Sequence, residues 1–196
     1  MVKNDNPAGR LYSILDELRK YNSTNLWDAL YKTLASESEL DFYAKLLQLK
    51  KLVVEVRNIV ENSEEMSNKA LYLSYYSQIE NIMKIKNLDV PMQHQIIPQL
   101  SDAVLLNLAY ISENLPYRFR EILLEAEQLN NFIKEIEELI DEIKKSNLIA
   151  ELRNLILEQL NILLTSINQY KIRGADGLRS DVNSGHQTLH AAIWPA

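Results

Sequence analysis

No cysteine occurs in the chain. Its absence removes disulfides, thiolate metal sites, iron–sulfur centres and cysteine nucleophiles together, and is compatible with a reducing cytoplasm. Glycine and proline are scarce as well, with four and five copies in 196 residues. Tight hairpin turns draw on glycine, so a sheet-rich fold is starved of them, whereas the abundant Leu, Ile, Glu and Lys suit long helices. An excess of positive charge is also missing: 21 Lys and Arg stand against 27 Asp and Glu, a formal charge of -6, with no long basic run. Broad nucleic-acid binding needs a concentrated basic face and is therefore not expected. Long apolar runs are missing too. The opening "MVKNDNPAGR" lacks the apolar stretch of a secretory signal, and no uncharged run approaches the roughly 20 residues that span a bilayer. A soluble, cytoplasmic protein with no membrane contact is expected.

What is present predicts an all-α fold, a bundle of six to seven helices. Residues 1–9, polar and containing Pro7 and Gly9, read as a flexible leader; residues 10–173 read as a single helical domain, and 174–196 as a tail. Leu11, Ile14, Leu15 and Leu18 recur at helical spacing, and Leu26, Trp27, Leu30, Tyr31 and Leu34 form a second short helix. In "SESE", Ser36 and Glu39 stand three apart as in a capping box. The helix that follows carries apolar residues over more than a narrow stripe, from Leu40 and Tyr43 to Val60, which predicts neighbours on two sides. Tyr117 to Lys145 holds no Gly or Pro, and Ile122, Leu129, Phe132, Ile136, Leu139 and Ile143 follow an approximate coiled-coil heptad. The partner helix from Leu148 to about Arg173 is apolar over most of its circumference. Together they predict a long antiparallel C-terminal hairpin over about 117–173, part of which pairs with another copy, because such surface must be buried.

The tail concentrates unusual residues. Gly174 reads as a left-handed helix stop, with Lys171 and Arg173 in the last turn at the negative end of the dipole. His186 and His190, four apart, would share one helical face as a metal pair requires, with Asp181 as a third ligand; Gln187 stands where a zinc peptidase needs Glu. No Glu-x-x-His occurs, so a carboxylate di-iron bundle is excluded. Leu178, Val182, Leu189, Ile193 and Trp194 are apolar in an otherwise polar stretch and read as a docking segment for a protein partner.

Arg179 and His186 stand in the frame Arg-x6-His, "RSDVNSGH". In an all-α protein this resembles the Arg-x4-6-His signature of HEPN-type ribonucleases, small helical proteins of prokaryotic defence and toxin systems. The resemblance covers two residues and implies metal-independent RNA cleavage by Arg179 and His186, usually across two subunits. Ser180 is not the polar residue that usually follows the Arg, and Gly185 precedes the His.

The reading favoured by these patterns is a non-enzymatic interaction module, adaptor-like or regulatory, that self-associates, takes no cofactor and acts on a protein partner. The ribonuclease is the alternative. A third reading is a helical small-molecule sensor with a cavity near Tyr72, Tyr76 and Tyr110.

Overall fold

Asparagine and serine side chains cap four of the described helices. The structure, a computed structural model, describes residues 2 and 4–193, with side chains described as far as 188. Among the described residues the fold is all-α, with one isolated bridge between Asn25 and Pro91 and no strand. No described helix is long and apolar enough to cross a membrane. The chain divides into two units, Met1–Arg120 and Glu121–Ala196.

In the first unit, helix α1 spans Pro7–Leu18. The Asn6 side chain caps it by accepting from Gly9 N–H at 3.0 Å, and Pro7 occupies the first helical position, where its missing N–H costs nothing. Asn6 is fully buried and its amide donates to Ser112 Oγ at 3.0 Å. From Asn6 onward the expected leader is thus part of the core. Proline, read as a breaker, here starts a helix.

Helix α2, Leu26–Thr33, is capped by Asn25. Helix α3, Glu39–Asn62, begins two residues later than the "SESE" pattern implied, because the left-handed Ala35 (φ 47°) delays the turn. The cap is Ser38, which accepts from Asp41 N–H at 3.2 Å, while the Asp41 carboxylate accepts from Glu37 N–H at 3.1 Å. Lys45 holds this corner, pairing with Asp41 and donating to the Ala35 carbonyl, both at 2.9 Å. Helices α4 (Lys69–Tyr72), α5 (Tyr76–Lys84) and α6 (Asp102–Asn114) complete the unit, with a π-helical turn over Met92–Ile96. α1 packs on α6, α2 and α3, and α5 packs on α3 and α6. Leu15, Phe42, Leu49, Val56, Tyr76, Met92, Leu108 and Ile111 are buried between them.

The second unit is three helices: α7 (Ala126–Lys145), α8 (Ala150–Asn168) and α9 (Tyr170–Ile193). Both α7 and α9 pack along α8. α7 starts at 126, not near 117, because Tyr117–Phe119 closes a single 3-10 turn after Pro116 and the chain reaches Glu125 before a cap is available. Glu125 and Gln128 then form a reciprocal capping box.

Gly174 interrupts α9 with φ 67° and ψ -167°, a combination open essentially to glycine alone. It does not end the helix for good. The chain restarts at once, the Glu121 carboxylate accepting from Ala175 N–H at 2.6 Å as a new N-terminal anion, and remains helical through Ile193.

Candidate functional site

The apolar positions of α7 fall on one arc of the helix, yet its neighbour covers only half of that arc. Ile140 is the one buried residue of α7, and Leu129, Ile133, Ile136 and Ile143 are half-buried. Phe132 and Leu139, seven residues apart and so on the same edge, are each 41% exposed. Glu135 and Glu142 stand beside them, also exposed. Ile149 at the α7–α8 turn and Ile162 on α8 are exposed as well. This edge lies within the hairpin region whose heptad spacing predicted pairing.

A polar cluster fixes the other side of α8. Arg173 meets Asp181 in a two-pronged ion pair, Nη1 to Oδ2 at 2.6 Å and Nη2 to Oδ1 at 3.0 Å. Ser166 Oγ, buried on α8, donates to Asp181 Oδ2 at 2.6 Å. The Arg173 hydrogen bond foremost, assisted by Ser166 and against the opposing cost of burial, holds the Asp181 carboxyl below its ordinary value. Gly177 permits this geometry: a Cβ there would lie 2.5 Å from Arg173 Cβ. Tyr170 joins in from the start of α9, its hydroxyl accepting from Leu124 N–H at 2.9 Å and donating to the Ile122 carbonyl at 3.2 Å.

These contacts bear on the candidate chemistry of the tail. Both Asp181 oxygens already accept from a guanidinium, so the carboxylate proposed as a third metal ligand is engaged by a cation. Among the described residues no three His, Asp or Glu converge on a metal position. The side chains of Leu189, His190 and Ile193, and Trp194 altogether, lie outside the described residues. Arg179 is exposed and pairs with Asp176 at 2.9 Å. His186 is exposed on the same continuous helix, seven residues on and thus on the same face, about 10 Å along the axis. Gly185 does not break that helix; it faces Gln159 of α8, whose Oε1 would be 3.0 Å from a Cβ. Of the docking residues with described side chains, Leu178 is half-buried and Val182 is 47% exposed.

Of the tyrosines read as lining a small-molecule cavity, Tyr72 and Tyr76 are buried and Tyr110 is exposed. Tyr72 stacks on Tyr110 with centroids 5.1 Å apart. Tyr76 is buried and its hydroxyl donates to the Val53 carbonyl. Of the three tyrosines in "YLSYY", Tyr75 alone is exposed. His94 is exposed on the π-helical turn.

Fold and surface together define an all-α protein whose second unit carries an exposed apolar edge. Comparison of the chain with protein-family models, with characterised proteins and with solved structures yields no match.

Proposed function

We propose that the protein is a cytoplasmic, self-associating interaction module whose binding element is the outer edge of α7. The observation that supports this reading is the pair Phe132 and Leu139, exposed at heptad spacing on a helix that buries only Ile140 among its own neighbours. Burying a large apolar side chain is worth about 1.5–3 kcal/mol, so covering both, with the flanking half-buried isoleucines, is a substantial drive toward a second helical surface. Glu135 and Glu142 beside the edge give that contact a charge preference. The role is adaptor-like or regulatory, exerted by presenting a helix face, and no reaction is involved.

Sedimentation equilibrium tests it. The mass is expected to rise above the 22.7 kDa monomer with concentration, and the double variant Phe132→Glu/Leu139→Glu is expected to stay monomeric with unchanged helical circular dichroism. A monomer at every concentration would defeat the proposal. RNA cleavage by the pure protein that disappears in His186→Ala would put the ribonuclease reading in its place.

A further inference from the structure

Helix α3 is apolar on two opposite faces. One, with Phe42, Leu49, Val53, Val56 and Val60, lies in the core of the first unit. The other carries Leu40, Tyr43, Leu47 and Val54. At 100° per residue these four point away from the core, and Leu47 and Val54 are 53% and 57% exposed. Lys50 and Lys51 lie between Leu47 and Val54, and neither makes an ion pair among the described residues. Toward the end of the helix the same face opens into a cleft of about 780 Å³, lined beside the two lysines by Val54, Glu55, Ile59, Arg118 and Phe119. Ser63, at its end, is buried with a hydroxyl that has no partner.

We propose that this outer face of α3 receives the α7 edge of a second copy of the chain. The inference rests on the self-association proposed above and names the surface that completes it. Spacing is the first argument. Leu47 and Val54 are seven residues apart with Lys50 and Lys51 between them, and Phe132 and Leu139 are seven apart with Glu135 between them. Lys50 and Lys51 flank the midpoint of one pair and Glu135 lies at that of the other, with Glu142 three residues beyond Leu139, so apolar residues meet apolar residues and a lysine meets Glu135 whichever way the two helices run.

Charge is the second argument, and it selects among pairings. Two α3 faces brought together would set lysines against lysines, and two α7 edges would set Glu135 and Glu142 against their own copies; like charges at close quarters disfavour both. Of these pairings, the crossed one brings Lys50 and Lys51 to the acidic edge that carries Glu135 and Glu142. Length agrees: the 20 residues of α7 extend about 30 Å and the 24 of α3 about 36 Å. Phe132 or Leu139, according to helix direction, fills the cleft between Val54, Ile59 and Phe119.

The test is a charge reversal read by sedimentation equilibrium on the full chain. Lys50→Glu/Lys51→Glu is expected to raise the self-association Kd by about tenfold, Glu135→Lys/Glu142→Lys to do the same, and the four substitutions combined in one chain to restore it. That restoration separates a broken contact from a misfolded variant. Since the chain has no cysteine, mixing Val54→Cys with Phe132→Cys, or with Leu139→Cys, is expected to give a disulfide-linked dimer for one of the two pairs. Unchanged affinity in Lys50→Glu/Lys51→Glu, while Phe132→Glu/Leu139→Glu still yields monomers, overturns the α3 assignment and leaves the self-association standing. Wild-type protein that is monomeric at all concentrations overturns both.

Discussion

The two units use similar residues to different effect. In the first, α1, α3, α5 and α6 enclose a core in which Leu11, Ile14, Leu15, Leu49, Val56 and Leu108 are fully buried. In the second, α8 is the helix on which both others pack, and among the described residues burial of apolar side chains is confined to a few positions such as Ile140, Leu160, Ile167 and Ile172. The difference lies in the number of neighbours each helix has, since a helix with one neighbour buries part of its apolar arc and leaves the rest for a partner. The second unit compensates with a polar cluster around Arg173, Asp181 and Ser166.

Truncating matched leucines gives the largest effect and the most direct way to break this contrast. Leu49→Ala, at a fully buried site, is expected to cost about 2–5 kcal/mol, because lost transfer energy and a residual cavity add. Leu139→Ala, 41% exposed on α7, is expected to cost under about 1 kcal/mol in dilute monomer. Urea denaturation monitored by circular dichroism measures both; equal costs would mean that the second unit has a closed core after all.

Next in size is Gly174→Ala. With φ 67° and ψ -167° at that position, an alanine carries a backbone strain of about 1–3 kcal/mol. The loss should appear in the same denaturation experiment and should exceed that of Leu139→Ala, which would show that the second unit depends more on its chain path than on its apolar edge. Removing residues 175–196 is a poorer probe of docking than the tail pattern suggested. It deletes the partner of α8 and the Asp181 carboxylate together.

Periodicity made the fold class legible, and it made α3 legible as a helix apolar on two sides. It did not show which side would find a neighbour, because that depends on helices far away in sequence. The α7 heptad was readable for the same reason, whereas the exposure of Phe132 and Leu139 on its edge required knowing that, within the described part of the second unit, α8 is the helix that packs along it. Local signals misled where one residue type has two uses. Pro7 starts a helix at a position read as a loop, Ser38 in place of Ser36 caps α3, and Gly174 bends a helix that then resumes. The cleft beside Lys50 and Lys51 was not legible because Arg118 and Phe119, far away in sequence, complete it; the absence of an i, i+4 acid for Lys50, with Val54 in that place, was the available clue.

A smaller effect tests the closed side of the comparison. Tyr76 is buried and donates to the Val53 carbonyl. Tyr76→Phe is expected to cost about 1 kcal/mol, leaving that carbonyl to its helical bond. Burial also pushes its ionisation well above the ordinary tyrosine range. In an alkaline spectrophotometric titration of the folded protein, Tyr76 is therefore expected to stay protonated after exposed rings have ionised, and the wild-type and Tyr76→Phe curves should coincide up to the pH of unfolding.

The smallest effect probes the polar cluster of the open unit, through pH. Asp181 has a lower pKa in the folded chain than in the unfolded one, chiefly because Arg173 hydrogen-bonds its ionised form. A carboxylate of this kind contributes stability that is fully present above its unfolded pKa, about 3.9, and is lost as pH falls through the lower folded value. Acidification from pH 5 to 2 should therefore erode wild-type stability by a component that Asp181→Asn lacks. At neutral pH the variant should be the less stable of the two, and the difference should shrink as the wild-type carboxylate protonates. Parallel stability curves from pH 5 to 2 would show that the Arg173–Asp181 pair within α9, and the Ser166 hydrogen bond that ties it to α8, do not steady the second unit, leaving apolar contact alone to explain how it stays folded with so open a face.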